Sequence, residues 1–334
     1  ETPLCVEATQ PSSATHGAKH EADGREQYSV DLIEKNCIYG DTKHEVNVYV
    51  KMFTNSPFLV CMDLARSREE LIDPKYLWIG PDGKNLTGRT HVNLSETGKL
   101  MVVGFTESMS GAYTCILSHK IIEITTQEER EVLEAYKFVV YAYREADHAY
   151  QMSVRFTTRE CERAANGQFF GELQRILTDI ISDLMCHLTH SSYKCRAVKT
   201  PKQSLLHELF VSFQVSPFAP GWEEVCRRAP YDCEEATNGR VEEARDRIGE
   251  FFQRQTYVLK HMLQTVPAIH YVASSFSAIY VDSCQPGFGK NDLTHKSCAN
   301  CCVVCNPGTY SPTNQGTCWI CRRPRVWEYG ARSC

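Results

Sequence analysis

The sequence has no long apolar run and no strong excess of charge of either sign. A membrane-spanning helix needs about 18 or more consecutive apolar residues, and no segment of the 334 residues comes close to that length. The formal net charge is −5, from 36 Lys and Arg residues against 41 Asp and Glu residues. A general nucleic-acid-binding protein would be strongly basic. The sequence therefore predicts no transmembrane segment and no nucleic-acid partner.

The sequence also lacks the short motifs that mark common enzyme and metal sites. His207-Glu208 is not followed by the second histidine of a metalloprotease helix, and Gly287-Phe288-Gly289-Lys290 lacks the rest of a phosphate-binding loop. No Gly-x-Ser-x-Gly turn presents a nucleophilic serine. A cysteine nucleophile paired with a distant histidine stays open, because such sites are assembled in space. We predict a protein that is not an enzyme and needs neither a cofactor nor a metal.

Cysteine, in contrast, is abundant, with 17 residues spread along the chain. Disulfides persist in oxidising compartments, so this usage predicts the secretory pathway, a vesicle lumen or the extracellular space. Sequons at Asn85 and Asn93 predict N-glycosylation and agree with that route. Because the chain begins at Glu1 and not at Met, we expect a targeting segment to have been removed.

The odd number of cysteines leaves at least one thiol without a partner in the chain. We expect it in the middle region, which holds cysteines at 161, 186, 195, 226 and 233. Of these, Cys226 and Cys233 are close enough in sequence to pair locally. An unpaired thiol offers a route to disulfide-linked self-association.

Residues 1–44 and 45–144 differ in pattern. The first stretch is polar and cannot bury much, so we predict an extension, tied by Cys5 and Cys37. From residue 45, runs of strand length alternate with turn signals. They lie at 46–50, 58–61, 76–79, 100–103, 112–115 and 136–143. Several short strands at this spacing predict a β-sandwich.

Four residues sharpen that prediction. Cys61, Trp78, Tyr113 and Cys115 follow one another in the order found in immunoglobulin domains. There, two inward-facing cysteines on opposite sheets form a disulfide, the tryptophan packs on it, and the tyrosine anchors a corner. We predict an immunoglobulin-like domain at 45–144 with a Cys61–Cys115 disulfide. Such a domain is a binding scaffold and does not by itself specify a ligand.

Residues 145–283 show a different order of elements. A strand-like run at 150–157 precedes a helical stripe formed by Phe169, Leu173, Ile176, Leu177, Ile180, Leu184 and Leu188. Strand-like runs follow near 193–199 and 205–215, then a helix after Thr237-Asn238 that includes Val258, Leu259 and Met262, then a strand or two between 269 and 282. The order strand, helix, strand, strand, helix, strand predicts an α+β domain of the split βαβ, ferredoxin-like type.

Residues 284–334 hold eight cysteines and almost no apolar run. Disulfides must stabilise such a segment, although sequence does not choose among their pairings. The Cys-x-Pro-Gly strings at Cys284 and Cys305 are typical of growth-factor-like modules. Three Cys-x-x-Cys spacings also suit zinc ligands. We favour a small disulfide-rich module, because the other features indicate the secretory pathway.

This module carries an excess of positive charge. Its basic residues are Lys290, Lys296, Arg322, Arg323, Arg325 and Arg332, and its acidic residues are Asp292 and Glu328. Arg322, Arg323 and Arg325 lie near Trp319 and Trp327 in the sequence. Guanidinium groups match oxyanions in a bidentate way, and indoles stack on sugar faces. These five residues are a candidate site for sulfated or sialylated glycans; the alternative is a solvated basic surface.

Longer strings in the chain point to a family. They are Leu77-Trp78-Ile79-Gly80-Pro81, Tyr141-Ala142-Tyr143-Arg144-Glu145, Ser216-Pro217-Phe218-Ala219-Pro220-Gly221-Trp222, Cys301-Cys302-Val303-Val304-Cys305 and Tyr329-Gly330-Ala331-Arg332-Ser333-Cys334. With these strings the chain resembles the zona pellucida-binding protein family of sperm acrosomal proteins, and it is nearer to the second paralogue than to the first. Residues 1–44 match the family poorly.

The resemblance implies a non-enzymatic protein of the acrosomal matrix and membrane, secreted when the acrosome opens. Its implied partners are glycoproteins of the egg coat and other acrosomal matrix proteins, and its implied roles are egg-coat binding and organisation of the acrosome. The family is not defined by catalytic residues, so none is assigned. The alternative is a matrix assembly factor that binds other acrosomal proteins without affinity for the egg coat.

Overall fold

The computed structural model describes residues 36–125, 127–199, 205–228, 233–262, 269–291, 293–323 and 325–334. The chain forms two compact units: one runs to Arg144 and includes Trp327–Gly330, and the other comprises Glu145–Val326 and Ala331–Cys334. In the described parts of the chain, no helix is both long and apolar enough to cross a membrane.

The first unit is a sandwich of two sheets. Strands β1 to β8 are Cys37–Tyr39, Val46–Lys51, Phe58–Val60, Ile72–Ile79, Val92–Leu94, Lys99–Val102, Gly111–Ile122 and Glu129–Arg144. One sheet has the order β1-β3-β6-β5. In the other, β7 lies between β4 and β8, and β2 pairs with β8 in parallel. These sheets confirm the predicted sandwich.

Strand β1 changes the description of the predicted extension. Its residues pair in parallel with β3, with Cys37 opposite Phe58. The end of the 1–44 stretch therefore belongs to the sandwich, while residues 1–35 lie outside the described residues. Cys37 is disulfide-bonded, but Cys5 falls among the undescribed residues, so the proposed tie between them stays a prediction.

A disulfide joins Cys61 to Cys115 inside the sandwich, and both residues are fully buried with Trp78. The Trp78 indole N–H donates to the carbonyl oxygen of Gly98 at 2.9 Å. Gly98 has φ +78°, and a Cβ there would lie 2.3 Å from the ring of Tyr76, so only glycine fits. The Tyr113 hydroxyl donates to the Met109 carbonyl oxygen at 2.7 Å, which anchors the corner that leads into β7.

The second unit contains a five-stranded antiparallel sheet with helices on one face. Its strands β9 to β13 are Asp147–Thr158, His187–Lys199, Leu205–Ser216, His270–Tyr271 and Ser277–Ser283, and helices α1 to α3 are Arg163–Ile181, Trp222–Arg227 and Glu234–Met262. Strand β11 lies between β9 and β10, and β9 lies between β11 and β13. The connection from β9 through α1 to β10 therefore passes over β11, and the connection from β11 through α3 to β13 passes over β9. Each connection skips one strand, which confirms the predicted split βαβ arrangement.

One face of this sheet forms the core with α1 and α3. Met152, Val154 and Phe156 on β9 are buried with Phe169 of α1 and Phe252 of α3. The other face carries polar side chains of β9 and β11, as expected for an antiparallel sheet covered on one side.

The predicted helix boundaries need two corrections. Helix α1 ends at Ile181 and is followed by a short 3₁₀ turn and by Met185 at φ +51°, a left-handed conformation that stops a helix. Leu188 therefore belongs to β10. Helix α3 begins at Glu234, before the predicted start. The side chains of Val258, Leu259 and Met262 lie outside the described residues.

Four disulfides hold the last segment together: Cys284–Cys302, Cys298–Cys301, Cys305–Cys318 and Cys321–Cys334. The described regular structure consists of the short strands β14 to β17, at Phe288–Gly289, Cys302–Val304, Thr309–Tyr310 and Trp319–Ile320. Every cysteine of the Cys-x-x-Cys spacings is bonded to another cysteine. The zinc alternative is therefore wrong, because zinc would need free thiolates.

Loop length predicts how much two of the disulfides stabilise their units. The Cys61–Cys115 bond spans 54 residues, and Cys226–Cys233 spans 7. The chain-entropy relation gives about 4 kcal/mol for the first and about 2 kcal/mol for the second. Replacing each pair by alanines should lower the free energy of unfolding by these amounts in denaturant titrations. Equal losses for the two pairs would contradict the prediction.

Candidate functional site

The predicted arginines, Arg322, Arg323 and Arg325, lie between Cys321 and Val326, and we name these five residues the arginine loop. The Cys321 N–H donates to the Gly308 carbonyl oxygen at 2.9 Å, and the Gly308 N–H donates to the Val326 carbonyl oxygen at 2.6 Å. One peptide segment thus fixes both ends of the loop. Gly308 has φ +85°, a conformation that favours glycine. The Cys321–Cys334 disulfide adds a covalent tie at the first residue.

The side chains of the arginine loop face solvent. Arg322, Arg323 and Arg325 are exposed, and among the described residues none of them forms an ion pair. Arg332 differs, because it pairs with Glu223 at 3.1 Å and lies 4.9 Å from the centre of the Trp222 ring. The three guanidinium groups of the arginine loop are therefore available to bind an anion, whereas that of Arg332 is already paired.

The two predicted tryptophans have different surroundings. Trp319 lies on β17, where it pairs with Tyr310 of β16 two residues before the loop begins, and it is 50% exposed. Trp327 is 77% exposed and falls in the segment that belongs to the first unit. It is therefore not part of the arginine loop as the structure defines it.

A second surface, absent from the sequence-based prediction, lies on the sandwich. Strands β7 and β8 form a hairpin whose pairing continues to Ile122 opposite Glu129, whereas β4 pairs only as far as Ile72 opposite Lys120. The end of the hairpin projects beyond β4, and every described residue from 121 to 131 is exposed. Ile124 is 90% exposed and Leu133 is 68% exposed. Leu133 lies further along β8, opposite Ser118, where β4 still pairs with β7. We name Ile122, Ile124 and Leu133 the hairpin tip.

A cross-strand charge cluster holds this ribbon. Lys120 Nζ lies 3.0 Å from an Asp73 carboxylate oxygen on β4 and 3.1 Å from a Glu129 oxygen on β8. Hydrogen bonds to Asp73 and then to Glu129 raise the pKa of Lys120 above its usual value. The lysine joins all three strands where the hairpin leaves the sandwich.

Both predicted glycosylation asparagines are exposed. The Asn85 Oδ1 accepts a hydrogen bond from the Thr87 N–H at 2.9 Å. Asn85 also bridges to Ile79, at the end of β4 that is remote from the hairpin tip. Asn93 lies on β5, at the edge of the other sheet. Glycans at these two asparagines would leave the hairpin tip uncovered.

The middle region contains a free thiol, as predicted. Cys161 pairs with Cys195, Cys226 pairs with Cys233, and Cys186 is free. Cys186 is only 2% exposed. Burial raises the pKa of its thiol to about 12. It is therefore protonated at neutral pH, which suits neither a nucleophile nor an interchain disulfide.

The buried thiol has a charged neighbour. Arg240 donates to the carbonyl oxygens of Leu184, Met185 and Pro217 at 2.9, 3.3 and 3.1 Å. These bonds fix the turn that carries Cys186.

In the described parts of the chain, no group of three or more His, Cys, Asp or Glu side chains could hold a metal ion.

Two family models match the chain. The one described as "Zona-pellucida-binding protein (Sp38) N-terminal Ig domain" matches residues 45–144. The one described as "Zona-pellucida-binding protein (Sp38) C-terminal EGF-like domain" matches residues 284–334. The predicted fold class, an immunoglobulin-like sandwich followed by an α+β region and a small disulfide-rich module, is confirmed by these matches and by the sheets.

Curated relatives match nearly the whole chain. Zona pellucida-binding protein 2 of Gallus gallus is 58% identical over 318 residues, 95% of this chain and 90% of the relative. The protein of the same name from Rattus norvegicus is 49% identical, over 89% of this chain and 90% of the relative. Zona pellucida-binding protein 1 of Mus musculus is 34% identical, over 99% of this chain and 91% of the relative.

Similarity to solved structures is weaker. An amphioxus IgVJ-C2 molecule is 15% identical and covers 33% of this chain and 74% of its own, with a TM-score of 0.21. Murine CEACAM1b is 10% identical and covers 53% of this chain and 86% of its own, with a TM-score of 0.22. These scores are too low to establish a shared fold over the chain.

The state of Cys186 leads to a prediction for alkylation. In the native, unreduced protein at neutral pH, iodoacetamide should label Cys186 at least about a thousandfold more slowly than an exposed thiol, because the thiolate is scarce and buried. Labelling should become fast in denaturant. Peptide mapping would locate the label, and Cys186→Ala is the control. Rapid native labelling would contradict the prediction and restore the cysteine-nucleophile alternative.

Proposed function

The chain belongs to the zona pellucida-binding protein family, and from that premise we propose that it is a sperm acrosomal protein that binds glycoproteins of the egg coat. The predicted resemblance to this family, and to its second paralogue above its first, is confirmed by the identities. The relationship across nearly the whole chain is the observation that carries the proposal, since the relatives take their name from binding the zona pellucida.

The arginine loop is the proposed contact for egg-coat glycans. Its three exposed guanidinium groups have no described acidic partner, so an incoming sulfate or carboxylate would not first have to displace one. Trp319 offers an aromatic face beside them. Each contact of this kind is weak at a hydrated surface. Many copies held together would turn weak contacts into useful avidity.

The proposed location is the secretory pathway and then the acrosome, in its matrix and at its membrane, with release on exocytosis. Disulfides in both units support an oxidising compartment. We also propose that the protein is not an enzyme. The buried, protonated Cys186 supports this part of the proposal, because a thiol catalyst needs an accessible thiolate.

A second candidate function is assembly of the acrosomal matrix through other acrosomal proteins, without affinity for the egg coat. The exposed hairpin tip favours it, because a group of exposed apolar side chains marks a candidate site of protein contact. Disulfide-linked self-association would serve the same role. Among the described residues the free thiol is Cys186, which would have to leave the core, and its burial argues against that route.

N-glycosylation of Asn85 and Asn93 gives a direct test of the secretory route. Each of Asn85→Gln and Asn93→Gln should remove one glycan from protein secreted by animal cells, and the double variant should match the enzymatically deglycosylated wild type in gel mobility. The double variant should still fold, since both side chains are exposed. A wild type with the mobility of the double variant would contradict the proposal.

Egg-coat binding is tested with the glycosylated protein and solubilised egg-coat glycoproteins, alongside acrosomal extract. Saturable binding to the coat, lost after reduction and alkylation, is expected. The variant Arg322→Gln/Arg323→Gln/Arg325→Gln should weaken binding by about tenfold at low salt, because three charge-assisted contacts are lost.

Arg159→Gln/Arg163→Gln/Arg228→Gln is the matched control. It removes the same charge from three exposed arginines elsewhere in the second unit. An unchanged affinity in the arginine-loop variant would exclude this loop as the contact. Binding to acrosomal extract alone would favour the assembly function.

A further inference from the structure

The hairpin tip combines exposed apolar side chains with negative charge. Between residues 120 and 131 the chain has four glutamates and two basic residues: Glu123, Glu128, Glu129 and Glu131 against Lys120 and Arg130. On β4, Asp73 pairs with Lys120 and Lys75 lies opposite Ser118, so five acidic residues stand against three basic ones. The surface around Ile122, Ile124 and Leu133 is therefore acidic as well as apolar, and a partner that fits it must be basic and apolar.

The chain itself carries such a surface. Trp319 and Ile320 are exposed on β17, and the arginine loop follows directly with three arginines and no acidic residue. Tryptophan and arginine are the side chains that most often dominate the affinity of a protein interface. Hydrogen bonds to Gly308 fix the backbone at Cys321 and Val326, so less backbone entropy would be lost there on binding.

A contact between two hairpin tips, or between two arginine loops, is disfavoured. Two hairpin tips would bring glutamates together, and two arginine loops would bring guanidinium groups together, which costs free energy in each case. A tip against a loop instead places opposite charges around an apolar centre. Because the proposed glycans lie away from the tip, they would not block this approach.

We propose that the hairpin tip of one copy binds the arginine loop and β17 of a second copy. The contact is heterologous, because two different surfaces meet. A bound pair still has one unused tip, on one chain, and one unused loop, on the other, so association continues into open chains or closes into rings. The bond is non-covalent and does not require Cys186. This self-association uses the same arginine loop as the proposed egg-coat binding, so a loop that holds a hairpin tip is not available to the egg coat.

The test uses glycosylated protein with thiols blocked, followed by sedimentation velocity over a wide concentration range at low and high salt. The wild type should gain mass with concentration, and less so at high salt. The tip variant Ile124→Ser/Leu133→Ser and the loop variant Arg322→Gln/Arg323→Gln/Arg325→Gln should each weaken association by about tenfold or more. Ile279→Ser, at another exposed apolar position, is the control and should behave as the wild type.

Mixing the two variants gives the decisive result. The tip variant keeps an intact loop and the loop variant keeps an intact tip, so an equimolar mixture should form a two-chain complex and stop there. A mixture that stays monomeric, a mixture that grows further, a tip variant that associates like the wild type, or a wild type that stays monomeric would each overturn the proposal. Circular dichroism of each variant confirms that it is folded.

The outcome is independent of the proposed function. The tip variant retains the arginine loop, so its egg-coat binding, measured per chain on sparsely immobilised protein, should equal that of the wild type. Lost self-association with retained egg-coat binding supports this inference. Retained self-association with no egg-coat binding would contradict only the proposed function.

Discussion

Covalent cross-linking is the constraint on which the rest of the structure depends. The carboxy-terminal module has almost no apolar run, and its short strands could not remain folded on hydrogen bonds alone. Four disulfides take the place of a core there. One of them begins at Cys321, so the bond that stabilises the module also positions the first residue of the arginine loop. The Cys321–Cys334 disulfide therefore both stabilises the module and positions the charged arginine loop.

The sequence predicted the fold best where several residues contribute to the same core. Cys61, Trp78, Tyr113 and Cys115 each have a distinct role in one core, so their order predicted the sandwich. In the middle region, the order of elements was enough for the split βαβ arrangement. The pairing of eight clustered cysteines could not be predicted, because nearby thiols permit many connectivities and only the folded chain selects one. The end of α1 was missed because Leu184 and Leu188 continue the helical spacing beyond Ile181, where the helix ends.

The hairpin tip was missed for a related reason. The first half of β8 has charged residues where a buried strand would have apolar ones, so periodicity predicted a strand only from 136, whereas the strand begins at Glu129. It forms because β7 supplies a continuous partner. Of the five predicted glycan-site residues, four lie on β17 and the arginine loop, and Trp327 belongs to another segment. Closeness in the sequence therefore identified four of the five residues that lie together, but it wrongly added Trp327 to them.

The buried thiol of Cys186 has a consequence for oxidative folding. Before the core closes, this cysteine is as able as any other to attack a disulfide, because exchange requires only an accessible thiolate. Packing of β9, α1 and α3 around it removes both access and charge. From that moment Cys186, the free thiol of the described residues, no longer catalyses disulfide reshuffling. Closure of this apolar core therefore slows disulfide exchange and preserves disulfide pairings that lie outside the core.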